Sequence, residues 1–423
     1  MNQKNTKLTN SQGSIIVKKI ENKRNYELVE IKGAGHPDTL ADELAEEFSI
    51  AYSRYTLKKF NVILHHNFDK SGILGGASFV KFGYGQLTSP IRILINGRVS
   101  TKFGKELIPY KMILEKTTNE YLKKKFPLIN LRKDVIFQYN ISIESSPGNV
   151  HFNSNKEGTR KNWFTPRSKD DIKELSFLGS NDTSIGVGFA PLTKFESTIK
   201  KLEIKLNSLT FKKDKPWLGS DIKIMGTKVN KVIDLTLCAP QISRFVKNYD
   251  EYKENISKIN KIIYRFIKKR HMTFKININI NTRDDFDTGE LYLTAIGSSI
   301  ESGDEGLVGR GNRINQLICQ TKPYTMEGIA GKNPVYHAGK LYSIAAQKMA
   351  NILAEKIDSY IEVYLISQSG RLLIDPWKTI IGINKHLNKK EKIELIEIVK
   401  KELKNIPKLT KKIIKKELNL SFR

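Results

Sequence analysis

The stretch from Gly303 to Lys340 constrains this chain most, because glycine recurs at 303, 306, 309, 311, 328, 331 and 339. A segment so rich in glycine buries almost no apolar surface and cannot be its own core. It offers open backbone N–H groups and both signs of charge, from Asp304, Glu305, Arg310, Arg313, Lys332 and His337. Those materials suit the holding of a polyanion. The alternative is a long surface loop. The rest of the sequence must supply the core.

A chain of 423 residues exceeds one ordinary core and suggests two or three units. The formal net charge of +28 raises nucleic acid as a partner. The lysines run the whole length beside Asn and Ile rather than gathering in one stripe, which sets that partner aside. Cys238 and Cys319 have no companion at metal-ligand spacing, so a reducing compartment is expected and a disulfide framework or zinc site is not. No apolar run approaches bilayer length and the start lacks an apolar h-region, so a soluble, cytoplasmic protein is expected.

Met1 to Gly13 reads as a disordered tail. Short strands over 14–20 and 25–31 lead into Lys32-Gly-Ala-Gly-His-Pro-Asp38 and then a helix from Pro37 to about Phe60. Pro37 suits the first helical position. Leu40, Leu44, Phe48, Ala51 and Tyr55 form the apolar face, with Asp42, Glu43, Glu46 and Glu47 mostly on the other. Strands are expected over 62–66, 91–99 and 135–143, with a helix over 109–126 and a loop over 145–168. Further on come helices over 192–206 and 249–270, and strands over 222–225, 231–239, 273–280 and 291–297. A helix over 340–357, strands over 361–366 and 372–374, and a basic helical tail complete the pattern. No sequence repeat aligns. The pattern predicts an α+β protein of mixed sheets with helices on one face. The expected units are 14–145 with parts of the later chain, 146–285, 286–383, and the tail 384–423, which packs on its own domain as a solvated helix.

His36 sits at the mouth of a helix, two residues before a carboxylate, where the free N–H groups favour an anion. There it can donate to a phosphate oxygen, and Asp38 can hold Mg²⁺ between phosphates. The turn is neither a Walker A motif nor a Rossmann fingerprint, since no GK[ST] follows and the third glycine is missing. Lys81, Lys223, Arg310, Arg313 and Lys332 lie in glycine-rich or turn-rich settings, although a lysine in so basic a chain is more often a surface charge. Asp182 and Asp304 lie in loops, where capping a turn is the simpler role. Adjacent His65 and His66 point to opposite faces of a strand and make a weak metal pair. Cations, a metal-ligating carboxylate and a histidine together suit a triphosphate.

The motifs GHPD (35–38), HHNxD (65–69), KFGxG (81–85), NDTSxGVGxAP (181–191), DIKxMG (221–226), GDxGxVGRGNRxN (303–315) and GKNPxxHxGK (331–340) occur in order. In these the chain resembles the archaeal-type S-adenosylmethionine synthetases, over about residues 14–380. The resemblance implies three related α+β domains, a homodimer with active sites between subunits, and synthesis of S-adenosylmethionine from ATP and L-methionine with Mg²⁺ and K⁺. It implies that the triphosphate displaced from C5′ is then cleaved to phosphate and pyrophosphate. It places His36 at the bond being broken, Lys223, Arg310 and Lys332 on the phosphates, and Asp38 and Asp69 at metal. Lys81, Asn181, Asp182, Asp221, Asp304, Arg313 and His337 are implied to bind substrate.

The chain departs from the family pattern at Lys70, Ala77, His151, Ser220 and Lys322. These changes leave open a diverged relative that hydrolyses triphosphates, takes another thioether, or only binds. RNA binding driven by charge is the non-enzymatic alternative.

Overall fold

A computed structural model describes residues 13–21, 24–145 and 160–418. Residues 1–12 of the expected tail, most of the expected 145–168 loop, and His151 lie outside the described residues. The protein is a mixed α+β structure with ten helices among the described residues.

Three larger sheets carry the fold. The first runs Lys275–Ile280, Val232–Cys238, Lys223–Val229, Tyr26–Lys32. The second runs Val135–Ser142, Ile91–Val99, Gly72–Leu74, Glu305–Leu307, with His66–Asn67 paired beside Ile91–Val99. The third runs Ser14–Lys19, Lys378–Ile383, Ile361–Ile366, Ile185–Ala190. Each main path has the same order of directions: one parallel edge pair, then two antiparallel pairs. The parallel edges of the first two sheets need crossovers, which the helices Tyr249–Lys268 and Tyr110–Lys125 provide.

The sheets are laced together by exchange. Strand Tyr26–Lys32 belongs to the first sheet, but the helix it leads into, Pro37–Phe60, packs on the second. Strand Ile185–Ala190 belongs to the third, and its helix Lys194–Leu206 covers the first. Strand Glu305–Leu307 belongs to the second, and the helix beyond the glycine-rich stretch, Ala338–Ile357, covers the third. Each core is therefore built from separated stretches of sequence. Leu40, Phe48 and Ile93 share one core; Val29, Ile224 and Tyr252 another; Leu341, Val363 and Leu395 the last.

Local expectations and structure differ in three places. Only His66–Asn67 pairs where a strand over 62–66 is expected, and only Leu293–Thr294 over 291–297. Leu372 makes a single bridge to Gly179 where a strand is expected. The basic tail forms helices Lys389–Lys404 and Lys408–Ile414, whose Val399, Leu403, Leu409 and Ile413 enter the third core. No helix of the described residues is long and apolar enough to cross a membrane.

Candidate active site

The chain leaves the first sheet at Lys32 and at Pro37 starts the helix that packs on the second, so the Gly33–His36 turn runs from one sheet to the core of another. Glycine is required at 35, since a Cβ there would stand 2.2 Å from Ser220 Oγ. The backbone closes on that segment through Gly35 N–H to Ser220 O, 2.9 Å. His36 caps the helix by accepting the Asp38 N–H at Nδ1, 3.2 Å. An accepting Nδ1 puts the ring proton on Nε2. Burial lowers the His36 pKa, against the opposing charges of Asp221 and Asp38, and so favours the neutral ring. The result is a neutral imidazole with a donor Nε2–H at a helix mouth.

Asp38 is held from two sides. Lys32 Nζ donates to Oδ2 at 2.7 Å and also reaches the Arg310 carbonyl at 2.6 Å. The Leu307 N–H donates to Oδ1 at 3.0 Å. Asp42, one turn on, accepts the Gly309 and Gly311 N–H groups at 2.7 and 3.2 Å. Glu46, a turn further, accepts the Gly331 N–H at 3.1 Å. Three carboxylates spaced by four thus form one stripe on the helix, and the glycine-rich stretch hangs from it by its own amides. Burial pushes the Asp42 carboxyl up to about 7, with the two glycine amides opposing. The polar face read from the sequence is therefore corrected: Asp42 and Glu46 are 2% and 5% exposed, covered by backbone rather than water. Amphipathic periodicity cannot tell these two partners apart. Backbone N–H groups of a loop that bonds little with itself need acceptors as surely as water offers them.

Around the helix mouth the structure gathers further expected residues. Asp221, buried, accepts Tyr292 OH at 2.9 Å and the Ser299 N–H at 3.1 Å, and burial raises its pKa. Ser299 Oγ lies 2.6 Å from Asp221 Oδ2 and 2.9 Å from Asp304 Oδ2, linking the two acids. Lys223 stands opposite Lys32 in the first sheet, with Nζ 3.1 Å from Glu30. The Arg310 side chain is exposed.

A second group lies along the same helix, about 12 Å away at the usual rise per residue between Asp38 and Glu46. Lys332 is 2% exposed, pairs with Glu327, and has Nζ 3.8 Å from Asp69. Burial pushes its pKa down to about 8, with Asp69 opposing. Asp69 also holds the Lys70 ammonium at 2.6 Å. Ser184 donates to Glu327 at 2.8 Å, which brings the NDTS and GKNP segments together. Asn181 accepts the Ala338 N–H at 3.0 Å, at the start of the last large helix, while exposed Asp182 bonds the Thr183 N–H. His337 is buried and its pKa is driven well down by burial, helped by Lys332, Lys340 and Lys70.

Of the expected residues, Lys81 stands apart in contact terms. Lys81 lies in an exposed two-stranded hairpin, its ammonium 5.9 Å above the Tyr84 ring. Arg313 is half-buried, lies within charge range of Asp42, and lines an open cleft with Asp42, Phe189, Tyr324 and Glu327. Its Nε is buried without a hydrogen-bond partner. Sequence reasoning missed Lys32, Glu46, Glu327 and Lys340. For Glu46 the available signal was its spacing from Asp38 and Asp42; for Glu327 none was visible. Among the described residues no three His, Cys, Asp or Glu converge as a metal cage.

The structure thus brings together a histidine at a helix mouth, a buried lysine and a glycine-rich stretch whose Gly309, Gly311 and Gly331 amides are taken up by Asp42 and Glu46. The sequence resemblance is borne out for the chain as a whole, because residues 13–417 match the family described as S-adenosylmethionine synthetase (AdoMet synthetase), and the chain belongs to it. It is 37% identical over 421 residues to the S-adenosylmethionine synthase of Pyrobaculum aerophilum, covering 96% of this chain and all of that one. The synthase of Saccharolobus solfataricus is 36% identical over 407 residues, covering 94% and 96%. That of Pyrobaculum neutrophilum is 35% identical over 424 residues, covering 96% and 100%. The family's enzymes are methionine adenosyltransferases, and this chain is an enzyme of that class.

Proposed function

We propose that this chain makes S-adenosylmethionine from ATP and L-methionine and then cleaves the displaced tripolyphosphate to phosphate and pyrophosphate. The observation that carries it is His36: its Nδ1 is tied to the Asp38 amide, which leaves Nε2–H as a neutral donor on a residue at the helix mouth. The methionine sulfur attacks C5′ of ATP, the C5′–O bond breaks, and its electron pair leaves with the triphosphate. His36 donates to the leaving oxygen, while Lys223, Arg310 and Lys332 balance the charge developing on the phosphates. Asp221 and Asp304, joined through Ser299, Asp182 and Asn181 orient methionine and the adenosine part, with Lys81, Arg313 and His337 completing the substrate contacts. Water then attacks the bound tripolyphosphate.

Both carboxylates expected at metal already hold a cation: Lys32 stands 2.7 Å from Asp38 and Lys70 stands 2.6 Å from Asp69. Mg²⁺ needs only one or two carboxylates when phosphates supply the remaining oxygens, so the absence of a three-donor cage among the described residues fits that use. When bound there, Mg²⁺, with K⁺ as the monovalent ion, supplies positive charge to the leaving triphosphate. The proposed assembly is a cytoplasmic homodimer of three related units, one per large sheet, with each site completed by the second copy.

Purified protein with ATP, Mg²⁺ and K⁺, with and without L-methionine, tests this. A methionine-dependent product of sulfonium mass, one per phosphate and pyrophosphate released, is expected. Phosphate released without that product would favour a triphosphate hydrolase instead. The Lys70 ammonium on Asp69 is the observation on that side, since the family pattern has no cation at that position.

A further inference from the structure

Behind Lys332 sits an ion pair that the proposed reaction does not use. Lys340, on the first turn of the Ala338–Ile357 helix, is fully buried, and Glu46 is 5% exposed. Lys340 Nζ lies 2.6 Å from both Glu46 oxygens. The pair also grips the chain on either side of the Lys332 Cα. Glu46 accepts the Gly331 N–H at 3.1 Å, and Lys340 donates to the Lys332 carbonyl at 2.9 Å. Ser49, on the same helix as Glu46, donates to that carbonyl at 3.1 Å.

Stability does not explain such a pair. Taking two charges out of water costs about what their attraction returns, and apolar side chains of similar volume pack as well or better. What apolar side chains cannot do is hold the Gly331 amide and the Lys332 carbonyl. The pair also joins a helix of the second unit to a helix of the third, at the seam where the Lys332 ammonium emerges between Asp69 and Glu327. Because Glu46 and His36 belong to one rigid helix, the clamp sets the position of Lys332 relative to His36.

We propose that Glu46 and Lys340 are positioning residues that fix the Lys332 backbone so that its ammonium meets the phosphate chain during transfer. This rests on the proposed function, in which Lys332 binds phosphate. Positioning that is realised in the transition state alters kcat more than KM.

The test compares Lys332→Met, Glu46→Gln and the double variant Glu46→Leu/Lys340→Met. The double variant is expected to fold cooperatively and to lose about 100-fold in kcat, as expected for a misplaced catalytic group. Its KM for methionine and ATP should stay within about twofold, because uniform binding is retained. By hydrogen exchange, its Gly331 amide should open at least about tenfold faster, having lost its acceptor. Parental kcat, a change confined to KM, or unchanged Gly331 protection in the folded double variant overturns the proposal. If that variant does not fold, Glu46→Gln decides: it keeps size and an acceptor for Gly331, and about a tenfold fall in kcat is expected from one weakened charged contact. Parental kcat there overturns the proposal equally. Lys332→Met with parental synthesis would sink the phosphate role of Lys332 itself. Inactive Lys332→Met beside a fully active double variant sinks only the positioning role.

Discussion

Two histidines occupy matching places in this fold and face opposite chemistry. His36 and His337 each stand at the N-cap of a helix reached from a strand of another sheet, the first helix packing on the second sheet and the other on the third. His36 caps its helix itself, is half-buried, and feels both signs of charge, Asp221 and Asp38 more strongly than Lys32 and Lys223. His337 makes no cap bond; Asn181 caps its helix by accepting the Ala338 N–H. Its surroundings are Lys332, Lys340 and Lys70, and its Nδ1 is buried without a hydrogen-bond partner. Topology supplies the place at a helix mouth. The charged neighbours set the ring's protonation: carboxylates help His36 keep a proton, and ammonium groups drive the proton from His337.

Replacement of the two histidines breaks or sharpens that contrast. His36→Ala removes the donor proposed for the scissile bond and is expected to lower adenosyl transfer by about 10³-fold, within the range for general acid–base groups. The variant should still fold, at a cost of about 1 kcal/mol for the lost helix cap, since His36 accepts the Asp38 N–H. Turnover within a few-fold of the parent would remove His36 from the chemistry. His337→Asn is expected to cost about tenfold or less, the worth of one neutral hydrogen bond. Equal losses in the two variants would erase the distinction between a ring among both signs of charge and a base-flanked one.

The base-flanked side makes its own prediction in pH. Lys332 has its pKa pushed down to about 8 by burial, with Lys70 and Lys340 adding to that and Asp69 and Asp182 opposing. A lysine whose folded pKa is depressed loses its charge on raising pH through that value, so phosphate binding by the cation is complete below it and fades above. The expected kcat/KM profile falls about tenfold per pH unit above roughly 8. Lys332→Arg keeps the charge throughout, so its profile should lack that limb even if its plateau is lower. A limb that survives unchanged in the arginine variant belongs to another group.

The sequence made the His36 side far easier to read than the other. Proline at N1, glycines before it and a carboxylate after it are all local signals, and the helix starts where they place it. The carboxylate stripe was hidden because a pattern of polar positions specifies that a face is not apolar, and leaves open whether water or glycine backbone covers it. The exchange of strands was hidden for a similar reason. Glu305–Leu307 is three residues long and pairs with Gly72–Leu74 across more than two hundred positions, a choice that no local periodicity encodes. The tail helices obey only a loose period because one stripe of each, with Leu395, Val399 and Leu403 in the longer, reaches the third core. Family motifs pointed to Arg310 and Lys332, but of the residues that hold their backbones, Lys32, Glu46 and Lys340, only Glu46 carries a local sign, its four-residue spacing from Asp42.

The smallest expected effect concerns the two caps. At the first helix the histidine supplies the acceptor from within the chain's own turn, so nothing outside the helix is needed. At the second the acceptor comes from Asn181, 157 residues earlier, and the cap therefore also ties the NDTS segment to the Ala338–Ile357 helix. Asn181→Ala strips that first-turn N–H of its acceptor and is expected to destabilise the fold by about 1 kcal/mol, typical for loss of a helix cap. Denaturant unfolding with an unchanged slope and a lower midpoint would register it. Asn181→Asp restores an acceptor and places a negative charge at the helix start, where the dipole favours it, so it should recover the midpoint. If both variants unfold at the parental midpoint, the Ala338 amide needs no side-chain acceptor, and His337 then differs from His36 only in the charges around it.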